Sequence, residues 1–218
     1  MEHTLRTVGV LDKSVAVLNA VGDGPCSLAV LVERTGISRA TAHRLATALE
    51  DHGLLRRTGG GRFALGLHLV ALGRAATEQF PLAEAARTAM EDLRTATGES
   101  VQLYVVNGGS RVCVTALESP HGLRTIVPVG AALPLDRGSA GRVLTGEVGR
   151  HGWVETVEER EPGVASVSAP VVGPDRGVVA AVSVSGPIDR MGRAPGRKLG
   201  DAVVAAALAI EGARTLSR

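Results

Sequence analysis

Aromatic rings are scarce in this chain: Phe63, Phe80, Tyr104 and Trp153 are the whole complement, 2% of 218 residues. Binders of single-stranded nucleic acid stack bases on several exposed rings, so that class is disfavoured and any nucleic acid bound is expected to be duplex. Cysteine is almost absent. Cys26 and Cys113 lie far apart, which fits neither a disulfide framework nor a zinc site of closely spaced ligands, and both read as small buried residues. No apolar run approaches the roughly 18 residues of a membrane span, so a membrane protein is excluded. Met1 to Gly9 lack a basic start followed by an apolar stretch, and a cytoplasmic location is therefore expected. Lysine is limited to Lys13 and Lys198, with 22 of the 24 basic residues being arginine; this reads as the codon bias of a GC-rich genome rather than as chemistry.

Against those absences stand 44% hydrophobic and 21% charged residues, a globular composition at a length that suits two domains, each with its own core. The net charge of +2 hides an asymmetry. Up to Ala75 there are nine basic against six acidic residues, and beyond it 15 against 16. The basic excess sits in the first third, which suggests a phosphate-facing module joined to a near-neutral one.

In the first third, Leu11, Val15 and Leu18 recur at helical spacing and predict an amphipathic helix over Leu11 to Val21. After the breaker Gly22-Asp23-Gly24-Pro25, Ser27 is placed to cap a second helix with Leu28, Leu31 and Val32 on one face. That helix ends at Thr35-Gly36. Ser38 then caps a third helix to about Asp51, with Ala42, Leu45, Ala46 and Leu49 inward. Two helices joined through a tight glycine turn make a helix-turn-helix. The outer face of the third carries Arg39, His43 and Thr47 at i, i+4 and i+8. The first turns of such a helix enter a major groove, so Ser38, Arg39, Thr41 and His43 are the base and phosphate candidates, while Arg44 reaches a phosphate or fixes the helix internally. Leu54 to Arg57 and Arg62 to Leu65 read as a hairpin around Thr58-Gly59-Gly60-Gly61, with Arg56, Arg57 and Arg62 beside its glycines. This is a wing, and Arg57 and Arg62 join the DNA-contact set; the alternative is a solvated cap with merely solubilising arginines. Domain bounds follow as 1–65 for the winged helix-turn-helix, 66–80 for a linking helix whose stripe of Leu67, Val70 and Ala71 favours self-association, and 81–218 for the remainder.

Within the remainder, a helix from about Leu82 to Thr97 precedes segments of shorter period. Ser100 to Val106 and Arg111 to Glu118 form one predicted hairpin, Gly163 to Val172 and Gly177 to Ser185 a second, and an alanine-rich helix from about Pro195 to Leu216 closes the chain. The expectation is a four-stranded antiparallel sheet in an α+β fold. Ser166 and Ser168 on one strand, and Ser183 and Ser185 on another, share sheet faces. Small hydroxyl residues on one face leave room and polar groups, which describes a pocket; serines satisfied within the sheet are the alternative.

These residues carry a family resemblance. Val10-Leu11-Asp12-Lys13-Ser14, Thr35-Gly36-Ile37-Ser38 through Thr41-Ala42-His43-Arg44-Leu45, and Arg62-Phe63-Ala64-Leu65-Gly66 resemble the DNA-binding domain of IclR-type transcriptional regulators. Thr97-Gly98-Glu99-Ser100, Gly141-Arg142-Val143-Leu144, Gly163 to Pro170 and Ser183-Val184-Ser185-Gly186-Pro187 resemble that family's GAF-like effector domain. Within the family the chain is most similar to the actinobacterial NdgR/AreB subgroup, associated with amino-acid biosynthesis, notably leucine. The resemblance implies a dimer or dimer of dimers, an operator of double-stranded DNA, palindromic if the assembly is two-fold, and a small carboxylate or other metabolite bound in the effector domain. Carried over by motif, the effector residues are Ser139, Ala140, Val164, Ser166, Ser183 and Ser185. No metal or cofactor is implied. This chain departs from the family at Thr156, where an acidic residue is frequent, and at Ser166, where cysteine is common. At Leu144 to Gly149 the family usually has on the order of two dozen further residues. Either the protein is shortened there or two segments have been joined.

An enzyme is the competing class, yet His3, His43, His52, His68, His121 and His151 show no metal-ligand spacing and no nucleophile elbow is present. Cys113 sits between Val112 and Val114 with no activating neighbour in sequence. The chain is therefore expected not to be an enzyme. A redox sensor through Cys26, beside a helix start, and a scaffold without DNA are further readings; the second leaves the basic wing unexplained.

Overall fold

The computed structural model describes residues 9–79 and 81–216, which leaves His3 and Phe80 outside. The chain forms two compact units that divide between Ala76 and Thr77.

The first unit opens with α1 (Gly9–Gly22), α2 (Leu28–Thr35) and α3 (Arg39–Asp51). The Ser27 side chain accepts from the Val30 N–H at 3.4 Å and caps α2, a contact of about 1 kcal/mol. Gly36 ends α2 at φ +66°, its N–H bonded to Val32 O at 2.9 Å. Only glycine adopts that left-handed geometry without strain, and the short turn to α3 depends on it. Ser38 stands at the start of α3 without capping it: its hydroxyl donates to Thr41 Oγ1 at 3.0 Å. Ala42, Leu45, Ala46 and Leu49 are all buried, the face their spacing indicates. In α1 the expected stripe is buried only in part. Leu18 packs against the core of this unit while Leu11 and Val15 are exposed, because α1 carries a second apolar stripe, Val17 and Val21, and that one is fully buried.

Strands β1 (Leu55–Arg57) and β2 (Phe63–Leu65) pair antiparallel as a short hairpin. Phe63 and Cys26 exchange backbone hydrogen bonds at 2.9 Å, which seats the hairpin on the helices. Helix α4 (His68–Glu78) follows, starting two residues later than the periodicity indicates.

The second unit contains α5 (Pro81–Thr97), β3 (Ser100–Asn107), β4 (Ser110–Leu117), β5 (Ala132–Pro134), α6 (Ser139–Leu144), β6 (Val154–Val157), β7 (Val164–Val172), β8 (Val178–Pro187), α7 (Ile188–Met191) and α8 (Pro195–Leu216). Its sheet has six strands in the order β5-β4-β3-β8-β7-β6, all antiparallel to their neighbours. The expected sheet of four lacked its two edges. β5 and β6 are too short for a period of two to stand out in sequence, and pairing with β4 and β7 creates them.

Alternation along the central strands gives the sheet two different faces. Val101 and Leu103 of β3, Ala165, Val167, Ala169 and Val171 of β7, and Ala180, Val182 and Val184 of β8 form the main core with α5 and α8. The intervening residues turn to the other side, where Tyr104, Cys113 and Ala181 pack with Ala140 and Val143 of α6. After α6 the connection is closed locally: Gly146 N–H bonds Val143 O at 3.0 Å, and Arg142 holds Glu147 through two bonds of 2.7 and 2.8 Å. No helix among the described residues is long and apolar enough to cross a membrane.

Candidate functional site

Helix α3 is buried along one side and polar along the other. Arg39, His43 and Arg44 are exposed, and their side chains make no hydrogen bond or ion pair among the described residues. Ser38 is exposed and Thr41 half-buried. On the hairpin, Arg56 and Arg62 are likewise exposed and unpaired. Arg57 differs: its Nε donates to Glu50 Oε2 at 3.1 Å and its guanidinium lies 4.4 Å from the centre of the Phe63 ring. It holds the hairpin against α3, a use that sequence spacing cannot separate from phosphate contact. Unpaired guanidinium groups beside a helix start can take phosphate oxygens and base edges.

The second site lies on the α6 side of the six-stranded sheet. Register places Ser166 opposite Ser185 and Ser168 opposite Ser183, with Ser185 in turn opposite Ser100 and Ser183 opposite Gln102. A polar band thus crosses β7, β8 and β3. Its hydroxyls form a chain: Ser139 Oγ lies 2.7 Å from both Ser166 Oγ and Ser168 Oγ, Ser168 donates to Ser183 at 2.9 Å, and Ser185 donates to Gln102 Oε1 at 3.0 Å. Thr156 Oγ1 lies 2.9 Å from Ser166 Oγ and accepts the Ser139 N–H at 3.1 Å. Buried hydroxyls are costly unless partnered, and this network satisfies them. Ser139, Ser166, Ser183 and Ser185 are therefore both structural and cavity-lining, and Ser168 is structural.

A small cavity opens in this band, with free space of about 20 Å³, roughly one water. Ser139, Ala140, Val164, Ser166, Ser183 and Ser185 all line it, as do Tyr104, Arg111, Gly138, Thr156 and Arg160. Sequence reasoning missed Tyr104, Arg111 and Arg160. The one available signal was Arg111 sharing strand parity with Cys113, which puts a cation on an otherwise apolar face of β4. Arg160 follows β6, and nothing in its local sequence marks it.

Arg111 is 2% exposed. Its Nη1 donates to Pro134 O and Arg137 O, and the guanidinium carbon lies 5.5 Å from the centre of the Tyr104 ring. Desolvation pulls Arg111 below the usual arginine range, partly offset by Tyr104, while Arg160 pulls the same way as burial. Burial also raises Tyr104, so its phenol stays protonated. Gly141 lies against this group, since a Cβ there would stand 2.5 Å from Leu135 O and closer still to Arg111 Nη1. The cysteines are elsewhere engaged: Cys26 is buried in the core of the first unit and Cys113 is fully buried beside Tyr104.

Comparison with known proteins matches both units. Residues 10–59 match the IclR helix-turn-helix domain, and residues 74–147 and 145–212 match the bacterial transcriptional regulator IclR C-terminal domain, the two stretches meeting at the short connection after α6. The HTH-type transcriptional regulator KipR of Bacillus subtilis is 25% identical over 210 residues, 80% of this chain and 84% of the relative. The glycerol operon regulatory protein of Streptomyces griseus is 28% identical over 222 residues, 85% of this chain and 87% of the relative. Among solved structures, an IclR homologue from Microbacterium hydrocarbonoxydans, complexed with 4-hydroxybenzoate, has the same fold at a TM-score of 0.78 and 20% identity, covering 95% of this chain and 100% of that one.

Proposed function

This chain belongs to the IclR family of bacterial transcriptional regulators, a family of regulators rather than enzymes, and from that premise we propose that it is a ligand-responsive, sequence-specific switch on double-stranded operator DNA. The observation that carries the reading is the set of exposed side chains on α3 and the hairpin that have no partner among the described residues: the guanidinium groups of Arg39, Arg44, Arg56 and Arg62, and the imidazole of His43. In this reading α3 enters the major groove, Ser38, Arg39, Thr41 and His43 meet bases and nearby phosphates, and Arg44 and Arg62 hold the backbone. Arg57 acts chiefly by fixing the wing.

The effector, a small polar metabolite, occupies the cavity under α6 and contacts Ser139, Ala140, Val164, Ser166, Ser183 and Ser185. The structural relative complexed with 4-hydroxybenzoate supports a small-molecule role for this unit. A metabolite shifts DNA affinity only as far as it binds one conformation better than another. The cavity has room for about one water, so entry of a larger metabolite requires side chains to move, and that movement is the source of differential binding. The regulator acts as a dimer or dimer of dimers on a two-fold operator in the cytoplasm. The resemblance to the NdgR/AreB subgroup supports genes of amino-acid metabolism, leucine included, as its targets.

The test is a footprint of the purified protein on DNA upstream of its own and neighbouring genes, at near-physiological salt with scrambled competitor. Paired protected half-sites are expected. No protection at any salt where the protein stays in solution would reject the operator reading.

A further inference from the structure

We infer that the flank formed by α5 and the uncovered edge of β4 is a self-association surface, on which a second copy of this chain docks across a two-fold axis passing near Ala89. The assembly proposed above names no contact in the second unit, and this one stands whether or not the protein reads an operator. Strand β5 covers β4 only from Ser110 to Val112, and the backbone of Gly130 and Ala131 closes on Cys113. From Val114 to Leu117 no strand among the described residues pairs with the outer side of β4. An uncovered strand edge is a template for another chain. Between that edge and α5 runs a groove of about 510 Å³, with Val114, Leu117 and Val129 on one side and Glu84, Arg87 and Glu91 on the other. Val129 is 53% exposed, so the groove has an apolar wall that this chain leaves in water.

The charges of α5 say which partner fits. Glu84, Arg87, Glu91 and Arg94 follow one another at spacings of three, four and three, which puts them on one flank of the helix with alternating sign. Glu84 and Arg94 are equally far from Ala89, as are Arg87 and Glu91, and in each pair the signs are opposite. A two-fold axis at Ala89 turns this stripe end for end. Glu84 then faces the second copy's Arg94, and Arg87 faces its Glu91, each contact being made twice. A stripe with equal signs about its middle would repel its own copy, and a foreign partner would need no such antisymmetry. Within one chain Glu84 and Arg87 are paired at 2.9 Å with side chains 75% and 64% exposed, whereas the side chains of Glu91 and Arg94 make no ion pair among the described residues. An exposed pair of that kind contributes little, so exchanging it across the axis costs little. The neighbouring charges do not disturb the pattern: Asp92 lies about 100° round the helix from Glu91, and Glu118 is held by Arg124 at 2.6 Å. Set perpendicular to the sheet, the same axis lays the uncovered edge of β4 antiparallel to that of the second copy. Both α5 helices then lie on one face of a sheet that continues from copy to copy.

The experiment is sedimentation equilibrium of the full-length protein without DNA, with circular dichroism on the same samples to follow helix content. Arg87→Glu and Glu91→Arg, each alone, should weaken self-association about 100-fold and halve the mass of the largest assembly, because like charges then meet across the axis. Helix content should not change, since both side chains point into water. The two variants mixed in equal amounts should regain the parent's mass, because every contact in the mixed assembly again joins opposite signs. Should either variant lose helix content, Glu84→Arg and Arg94→Glu form a second such pair and decide in the same way. A monomeric parent, single variants that sediment as the parent does, or a loss of mass that mixing fails to reverse would overturn the proposal. Because no DNA is present, a rescued mixture stands even if the footprint shows no protected operator, and a protected operator does not make good a failed rescue.

Discussion

Cys113 shows how burial decides the chemistry of a single side chain. It is fully buried, its thiol donates to Thr115 O at 3.4 Å, and burial pushes its pKa up to about 11. At neutral pH it is a small apolar residue, as its valine neighbours indicate. Because the folded pKa lies above the unfolded one, the stability it contributes is complete below about pH 9 and is lost as the pH rises through its folded value. Tyr104, raised in the same direction, adds to the loss. Denaturant midpoints for the second unit are therefore expected to fall above about pH 9, and to fall less steeply in Cys113→Ala. An alkaline profile identical in the two proteins would show that the thiol has no part in it. Cys26, 2% exposed in the first core, is equally shielded, so the oxidation reading has no accessible thiol at that position.

For elements, the division of labour runs between α3 with its hairpin and the packing beneath them. Arg39 and Arg62 are exposed and unpaired, while Arg57 is bound to Glu50 and covers Phe63. Each phosphate contact contributes about 0.9 to the slope of log affinity against log salt. Arg62→Ala should lower that slope by about one with no change in melting temperature. Arg57→Ala should leave the slope nearly intact and lower the melting temperature of the first unit. Arg39→Ala should weaken operator binding by about 1–3 kcal/mol without unfolding the protein. Fluorescence anisotropy over a salt series, with melting curves on the same samples, measures all three; a slope loss in Arg57→Ala as large as in Arg62→Ala would reject the division.

The whole molecule has separate cores, one under α1 to α3 and others on the two faces of the six-stranded sheet, and a set of large apolar side chains that none of them absorbs. Leu11 and Val15 of α1 are 59% and 46% exposed, and Leu67, just before α4, and Val70, in its first turn, are 77% and 68% exposed. Apolar area of this kind on a regulator expected to read a two-fold site is most simply covered by a second copy. Leu67→Asp combined with Val70→Lys should shift the sedimentation profile toward the monomer and weaken operator binding through loss of the second half-site. A variant that sediments as the parent protein does would remove this surface from the assembly.

The helix-turn-helix was legible in the sequence because its information is local. Caps, a glycine turn and 3.6-residue periodicity lie within a few residues of one another, and Ala42, Leu45, Ala46 and Leu49 turned inward as their spacing indicates. The long strands β3, β4, β7 and β8 were legible for the same reason, and the alternate serines marked the face on which the cavity lies. The tertiary structure alone decided which of two apolar stripes α1 buries in full, that β5 and β6 extend the sheet, and that Arg57 closes on Glu50. It also decided that Arg111, from β4, and Arg160, from beyond β6, meet at one cavity. Periodicity reports which side of its own element a residue occupies. The charge balance of a cavity depends on which distant strands are brought together, and that is set by sheet order and register.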